Sequence, residues 1–245
     1  MKMKKYAPLC IIFLTFISCE KEESVTKVVE FTSTNYQTLG AYDSSGKPND
    51  LLTRDTISSA LLSFVNNTLP DRTDLRITNQ QLLTTNAIAD IAITRQSDVF
   101  KTFVTQGSRG ANTFAFYTYP TNQPPVSTAD IKTITYVFPN SGSGTPLRPG
   151  DKVKIGRFNA GTSVGFVLLQ RAWDSTAGTI NSKAVHFCSN DVLNPEVDPN
   201  LKKHAVLINY PLENKVLIGF EDIDRTNPGC DHDFNDVVFF CTVSL

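Results

Sequence analysis

From about residue 88 to the C-terminus, apolar and polar residues alternate with a period of two. Turn-forming residues such as Gly, Pro, Asn and Asp separate the alternating stretches. Short strands at this spacing, without helical segments between them, are typical of an antiparallel β-sandwich. We therefore predict an all-β, sandwich or jelly-roll-like domain over residues 88–245. The expected strands cover residues 89–94, 98–105, 113–119, 131–138, 152–158, 163–170, 184–187, 204–210, 215–220 and 237–243.

Residues 51–87 show a different period. Ile57, Leu61, Phe64 and Val65 are spaced as on one face of a helix, and Pro70 follows the pattern. Thr56 is a suitable N-cap residue. The sequence thus predicts one helix over residues 57–66, within a short, mostly helical N-terminal segment.

The first residues are typical of an export signal. Three lysines precede an apolar stretch over residues 9–17, and Ser18 and Cys19 follow it. Phe16-Ile17-Ser18-Cys19 resembles a bacterial lipobox, which implies a signal peptide over residues 1–18 and acylation of Cys19. An ordinary cleaved signal is the alternative.

Residues 20–23 are mostly acidic and resemble a surface-export signal, with a solvated tether as the alternative. Residues 19–50 are predicted to be the lipidated Cys and its tether, with one strand near residues 28–31.

The charge balance limits the possible partners. The chain has 23 basic and 24 acidic residues, which gives no support to nucleic-acid binding through bulk charge. No apolar run of 18 or more residues follows the first 20 residues, so no further membrane span is expected. The expected location is the outer membrane, at the cell surface, with attachment through acyl chains.

Three cysteines remain beyond Cys19, namely Cys188, Cys230 and Cys241. Export from the cytoplasm permits disulfides, and an odd number leaves at least one free thiol. We predict one bridge from Cys188 to one of the other two, with Cys230 slightly preferred. Spacing alone does not decide the pairing.

Acidic residues are concentrated near the C-terminus. Six of them and one arginine, Arg225, fall within residues 221–236, between two predicted strands. Carboxylates held close together repel one another, and a cation such as Ca²⁺, which takes six to eight oxygen ligands, relieves that repulsion. The candidate ligands are Glu221, Asp222, Asp224, Asp231, Asp233, Asn235 and Asp236. A solvated acidic turn is the alternative.

This same segment carries a resemblance to a known family. Gly219-Phe220-Glu221-Asp222, followed by Asp231-x-Asp233-Phe234-Asn235-Asp236-Val237-Val238-Phe239, is similar to the closing motif of the domain of unknown function 4114. Residues 103–119, 147–151, 165–168, 194–196 and 204–212 resemble its other segments, so that the likeness covers about residues 88–245. That family occurs in secreted and surface proteins, including LruC-type lipoproteins. The resemblance implies a β-sandwich with a Ca²⁺ site and no established catalytic activity.

Two further sequence features bear on function. Residues 161–165 match G-x-S-x-G, but a nucleophile elbow requires a helix after the serine, and the residues that follow are predicted to form a strand. His232 lies in the acidic segment, and because imidazole is a poor Ca²⁺ ligand we expect it at the surface.

Three functional hypotheses follow. The first is a lipid-anchored, surface-exposed binding or adhesion module without catalysis, which binds a glycan or a surface protein. The second is a structural or assembly lipoprotein of the outer membrane that contacts protein partners. An extracellular hydrolase ranks below both.

Overall fold

The structure, a computed structural model, describes residues 30–84 and 90–245. The predicted signal peptide, Cys19 and the first part of the tether lie outside the described residues. The described residues form thirteen strands and two α-helices. The helices are α1 (Ser59–Thr68) and α2 (Leu75–Thr78). The strands are β1 (Asn35–Thr38), β2 (Ile91–Ile93), β3 (Ser97–Gln106), β4 (Thr113–Pro120), β5 (Thr133–Phe138), β6 (Lys152–Phe158), β7 (Thr162–Leu169), β8 (Trp173–Asp174), β9 (Thr179–Ile180), β10 (His186–Cys188), β11 (Ala205–Tyr210), β12 (Lys215–Phe220) and β13 (Val237–Ser244).

Eleven of these strands form two sheets. The first sheet has the order β1-β5-β4-β7-β10, with β2 also paired to β7, and the second has the order β11-β12-β13-β3-β6. Every pair is antiparallel except β1 with β5, which is parallel. Strands β8 and β9 form a separate hairpin. The predicted all-β sandwich is confirmed.

The main core lies between the two sheets and is rich in phenylalanine. Phe114 and Phe138 of the first sheet pack against Phe239 of the second, with ring centroids 4.1 and 5.6 Å apart. Alternating side chains of each strand supply this layer, which explains the period of two in the sequence.

Both sheets also bury part of their outer faces. On the second sheet, Leu61, Val65 and Leu69 of the helical segment pack with Phe234 and Phe240. On the first, Phe31 packs with a cluster that includes Tyr117 and Tyr136. The N-terminal residues therefore cover the sandwich on both sides, and strands facing two apolar layers are buried almost throughout.

Three predictions for the N-terminal residues are corrected. Residues 30–50 are not a free tether, because β1 pairs with β5 and Phe31 is buried. Helix α1 begins two residues later than predicted, since Ser58 and not Thr56 is the N-cap and its Oγ accepts a 3.0 Å bond from the N–H of Leu61. The predicted strand near residues 28–31 is absent at residues 30 and 31, and its first two residues lie outside the described ones.

The predicted disulfide is also corrected: all three cysteines are free thiols. Cys188 packs in the outer cluster of the first sheet and Cys241 in the core between the sheets. Cys230 lies in the acidic segment beside His232, 3.3 Å from its Nδ1. Each thiol is buried in a different part of the fold, which is why no bridge forms.

No helix within the described ranges is long and apolar enough to cross a membrane.

Candidate metal centre

The acidic loop, residues 221–236, leaves and re-enters one sheet at neighbouring positions. It connects β12 to β13, and its two flanking residues, Phe220 and Val237, are directly paired. The last residue of β12 and the first of β13 therefore hold both ends of the loop together. This pairing brings the two halves of the acidic loop close to each other.

Glu221 is the innermost of these carboxylates. Its backbone N–H donates to His204 O and its carbonyl accepts from His204 Nδ1, both at 2.9 Å. The side chain is fully buried, and neither carboxylate oxygen meets a donor in good hydrogen-bond geometry within the described structure, although the side chains of Asp236 and Cys230 lie close to it. A buried carboxylate without any donor is costly, so a positive charge is expected beside it.

Two groups of three carboxylates meet at Glu221. One carboxylate oxygen from each of Glu221, Asp231 and Asp233 lies within 4.8 Å of the other two. The same holds for Glu221, Asp222 and Asp236. Five of the seven predicted ligands are thus brought together, and Glu221 belongs to both groups.

Asp222 and Asp236 are fixed by donors from outside the loop. Asp222 Oδ2 accepts hydrogen bonds from Ser108 Oγ and Asn112 Nδ2. Its N–H donates to Asp236 Oδ2 at 2.8 Å, and the carbonyl of Asp236 accepts from the N–H of Ser108 at 3.1 Å. The β3–β4 connection therefore positions this half of the site.

Asp233 is held by the helical segment. Its Oδ2 accepts a 2.7 Å hydrogen bond from the N–H of Arg72, and its Oδ1 accepts a 3.0 Å bond from the N–H of Asn235. His232 and Phe234, on either side of it, adopt left-handed backbone conformations with φ of 57° and 58°. Such conformations are costly for non-glycine residues and concentrate at functional sites.

The remaining two predicted ligands are placed differently. Asn235 lines the same cleft as Asp231, Asp233 and Asp236. Asp224 belongs to neither group of three, and its Oδ1 accepts from the N–H and Oγ1 of Thr226 at 2.8 and 2.7 Å. Asp224 therefore shapes the loop through an Asx turn.

The carboxylates perturb one another's protonation. Burial, reinforced by the charges of Asp231 and Asp233, raises the pKa of Glu221 to about 7. Burial and the charges of Asp222 and Glu221 raise the pKa of Asp236 to about 10. Burial also raises the pKa of Asp233. A bound cation would favour the charged form of all three groups.

The acidic cleft is the open side of this cluster. It has a volume of about 270 Å³, and its lining includes Asp231, Asp233, Asn235 and Asp236 from the loop. Three arginines also line it: Arg72, Arg109 and Arg171. Nothing in the sequence near the acidic loop indicated these arginines, because they come from three distant segments.

His232 is buried and not at the surface, contrary to expectation. The Arg225 Nε donates to its Nδ1 at 3.2 Å, and the guanidinium of Arg225 lies over the ring of Phe234 at 5.1 Å. Burial and the charge of Arg225 lower the pKa of His232 to about 4. Neutral His232 is thus buried within the loop and accepts its hydrogen bond from Arg225.

The G-x-S-x-G pattern is part of a strand, as predicted. Ser163 is buried within β7, and its Oγ shares a 2.9 Å hydrogen bond with Thr121 Oγ1. The serine is therefore not at a strand-to-helix turn.

The donor set suits a hard cation. It consists of carboxylate and amide oxygens, and the two oxygens of Glu221 are buried without partners. Ca²⁺ accepts this kind of irregular, oxygen-only environment, whereas Mg²⁺ requires a tighter octahedron. If a Ca²⁺ ion binds, Glu221 would hold it from the buried side, and Asp222, Asp231, Asp233 and Asp236 would hold it from the side of the cleft.

Comparison with curated proteins and with solved structures found no match to this chain. A family model does match its C-terminal part, which includes β7, β10 to β13 and the whole acidic loop. The upstream segments of the resemblance, over residues 103–119 and 147–151, lie outside the matched range. Residues 158–244 of the chain match the family described as Domain of unknown function (DUF4114).

Proposed function

We propose that this protein is a lipid-anchored, surface-exposed binding module whose acidic loop is organised by Ca²⁺. One observation carries the metal proposal: the buried carboxylate of Glu221 has no hydrogen-bond partner in the described structure and belongs to both carboxylate groups. A solvated acidic turn would leave its carboxylates in water, and Glu221, Asp222 and Asp233 are buried.

The binding role is supported by the position of the metal site. Asp231 is exposed and borders a cleft that opens to solvent, so that a cation there has a side that a ligand can reach. The module would act without catalysis. An assembly role in the outer membrane is the alternative, and retention of an envelope protein complex in place of a glycan would favour it.

The metal proposal is tested by titrating metal-free protein with Ca²⁺ in a calorimeter and by melting it with and without chelator. Binding to the folded state raises the free energy of unfolding by RT ln(1 + [L]/Kd), about 2.7 kcal/mol at 100 times Kd. Glu221→Gln, which keeps the shape of the side chain, should abolish the heat of binding and the effect of chelator.

The matched control for this experiment is Asp43→Asn. Asp43 is an exposed residue whose Oδ1 accepts from the N–H of Ser45 in a turn of the N-terminal segment. This variant should bind Ca²⁺ like the wild type. Identical melting curves with and without chelator, on protein verified to be metal-free, would contradict the metal proposal.

The anchor is tested separately, because Cys19 lies outside the described residues. Cys19→Ala should abolish incorporation of labelled fatty acid and release the protein from the membrane fraction. Replacing residues 20–23 with alanine should protect the protein from external protease if that run directs surface export. Unchanged membrane retention of Cys19→Ala without any lipid label would contradict lipid anchoring.

A further inference from the structure

The acidic cleft has a basic rim. Arg72 comes from the connection between α1 and α2, Arg109 from the β3–β4 connection and Arg171 from the residues after β7. All three are exposed, and they border the same cleft as Asp231 and Asp233. A cation site and three guanidinium groups therefore face one small volume.

These arginines do not neutralise the carboxylates. Within residues 30–84 and 90–245, neither Arg109 nor Arg171 forms an ion pair. Arg72 reaches only Asp71, at 3.8 Å, and both of those side chains are more than three-quarters exposed (77% and 76%). The guanidinium groups are thus available to an external anion.

Two of the three rim arginines are held in place through their backbones. The N–H of Arg72 donates to Asp233 Oδ2 at 2.7 Å. The N–H of Arg171 donates to Asn112 Oδ1 at 2.8 Å, and the amide of the same Asn112 donates to Asp222. Each of these two arginines is therefore linked by hydrogen bonds to one of the two carboxylate groups.

The backbone strain of the described structure is concentrated at this cleft. Five non-glycine residues have positive φ, and Arg72 and Arg171 are two of them, at 53° and 48°. His232 and Phe234, which flank Asp233, are two more. Only Asn214 lies elsewhere, at the turn between β11 and β12. Strain that the surrounding fold maintains is typical of binding and catalytic sites.

We propose that the cleft binds a glycan bearing carboxylate groups, such as a uronate, with the bound Ca²⁺ and the arginine rim acting together. This inference rests on the proposed Ca²⁺ site, for which the buried, unpartnered carboxylate of Glu221 is the independent observation. Sugar oxygens coordinate the exposed side of the cation, and the sugar carboxylate pairs with Arg171 and Arg109. Guanidinium groups match carboxylates bidentately, which a lysine does not.

The character of the cleft favours a sugar over a peptide. Ile223 is the one large apolar side chain in its lining; the other lining residues are glycines and charged or amide side chains. A volume of about 270 Å³ lies just below the ~300–1,000 Å³ of ordinary ligand pockets. It offers room for about one sugar ring and no pocket for an apolar side chain.

The test is calorimetric titration of the full mature protein with trigalacturonate, in Ca²⁺ on the order of 1 mM, a level that extracellular sites bind. Maltotriose serves as the neutral sugar and triglutamate as the acidic peptide. Trigalacturonate should bind in Ca²⁺ and not in chelator, and the other two should not bind. The double variant R109Q/R171Q should bind trigalacturonate about tenfold more weakly or worse, because two charge-assisted contacts are lost. Its affinity for Ca²⁺ should be unchanged.

Glutamine keeps the Cγ of Arg171 that packs over Gly110, so the variant retains the local packing. Arg95→Gln is the matched control, since Arg95 is an exposed arginine in the turn between β2 and β3. Normal Ca²⁺ binding without trigalacturonate binding would overturn this inference and leave the metal site intact. Triglutamate binding equal to or tighter than that of the uronate would overturn the choice of a glycan. If the wild-type protein does not bind Ca²⁺ at all, the proposed function is overturned instead.

Discussion

The backbone N–H of Arg72 donates a 2.7 Å hydrogen bond to the carboxylate of Asp233, across 161 residues of chain. A second bond, from the N–H of Leu75 to the carbonyl of His232 at 3.1 Å, runs between the same two segments. These two hydrogen bonds therefore couple the helical segment directly to the acidic loop. Whatever organises the loop is expected to order the residues between α1 and α2 as well.

Ca²⁺ should accordingly protect the helical segment from hydrogen exchange. Addition of Ca²⁺ to metal-free protein should slow amide exchange at Arg72 and Leu75, whose N–H groups bond to the loop, as well as in the loop itself. Peptide-resolved exchange followed by mass spectrometry measures this effect. The 3-10 turn at Thr128–Asp130 is the internal control, because its capping bonds come from Ser127 and Asp130 themselves. Protection confined to residues 221–236 would contradict the coupling.

Lys101 should make the stability of the protein depend on pH. Its ammonium is fully buried between the sheets, 3.5 Å from the ring centroid of Phe166, with no hydrogen-bond partner in the described structure. Burial lowers the pKa of Lys101 to about 7 from an ordinary value of 10.5. Because the unfolded chain then binds more protons than the native state between these values, the contribution of Lys101 to stability rises as pH increases from about 7 to 10.5.

Lys101→Met removes the buried charge and keeps a similar volume. We expect the variant to be more stable than the wild type by several kcal/mol at pH 6, at about 1.4 kcal/mol per pKa unit, with a gain that shrinks towards pH 10. Urea unfolding at a series of pH values gives the comparison. Lys154→Met is the control, since that side chain is 42% exposed and pairs with Asp98. If the stability gain of Lys101→Met is the same at every pH, the Lys101 ammonium is not buried in the native protein.

Gly219 is required by close packing and not by its backbone conformation. A Cβ at this position would lie 2.4 Å from the carbonyl oxygen of Phe234 and 2.6 Å from Cδ1 of Leu69. Gly219→Ala should therefore push the acidic loop away from β12, costing roughly 1–3 kcal/mol of stability and weakening Ca²⁺ binding. Gly229→Ala, whose nearest neighbour would be Asn227 Oδ1 at 3.3 Å, should be tolerated. Calorimetry measures the stability and the Ca²⁺ affinity of both variants. Equal stability and equal affinity in the two variants would refute the prediction.

The three thiols should be unbridged and slow to react. Digestion of the unreduced, alkylated protein should yield Cys188, Cys230 and Cys241 each with its own alkyl group. In the folded protein, alkylation should be much slower than in urea, because all three side chains are buried and burial raises the pKa of each thiol. A crosslinked peptide containing Cys188 would restore the disulfide predicted from the sequence.

The strands were predictable where packing imposes a period of two. The predicted bounds of β6 and β12 agree with the structure to the residue, and both strands contribute alternate side chains to the core between the sheets. Strand β1 was not predictable. Its four residues, Asn35–Thr38, are polar and largely exposed, and only parallel backbone pairing with β5 makes them a strand.

Only the part of the candidate site that lies within one continuous stretch of sequence could be predicted. The density of acids in residues 221–236 sufficed to find Glu221 and Asp233. The donors that fix Asp222 could not be inferred, because Ser108 and Asn112 lie 114 and 110 residues from it along the chain. For the same reason the spacing of Cys188 and Cys230 could not show that the two thiols occupy different parts of the fold.

The range that matches the family model is shorter than the unit that must fold. It ends with β13, whose partner on one side is β12 and on the other β3, and β3 lies some fifty residues before the match begins. A polypeptide of residues 158–244 alone would have open edges at β13 and β7 and an uncovered apolar face. Open edges of this kind promote aggregation. Recombination that moves this acidic loop into another protein must therefore also move the upstream strands. The unit that is inherited is the whole sandwich.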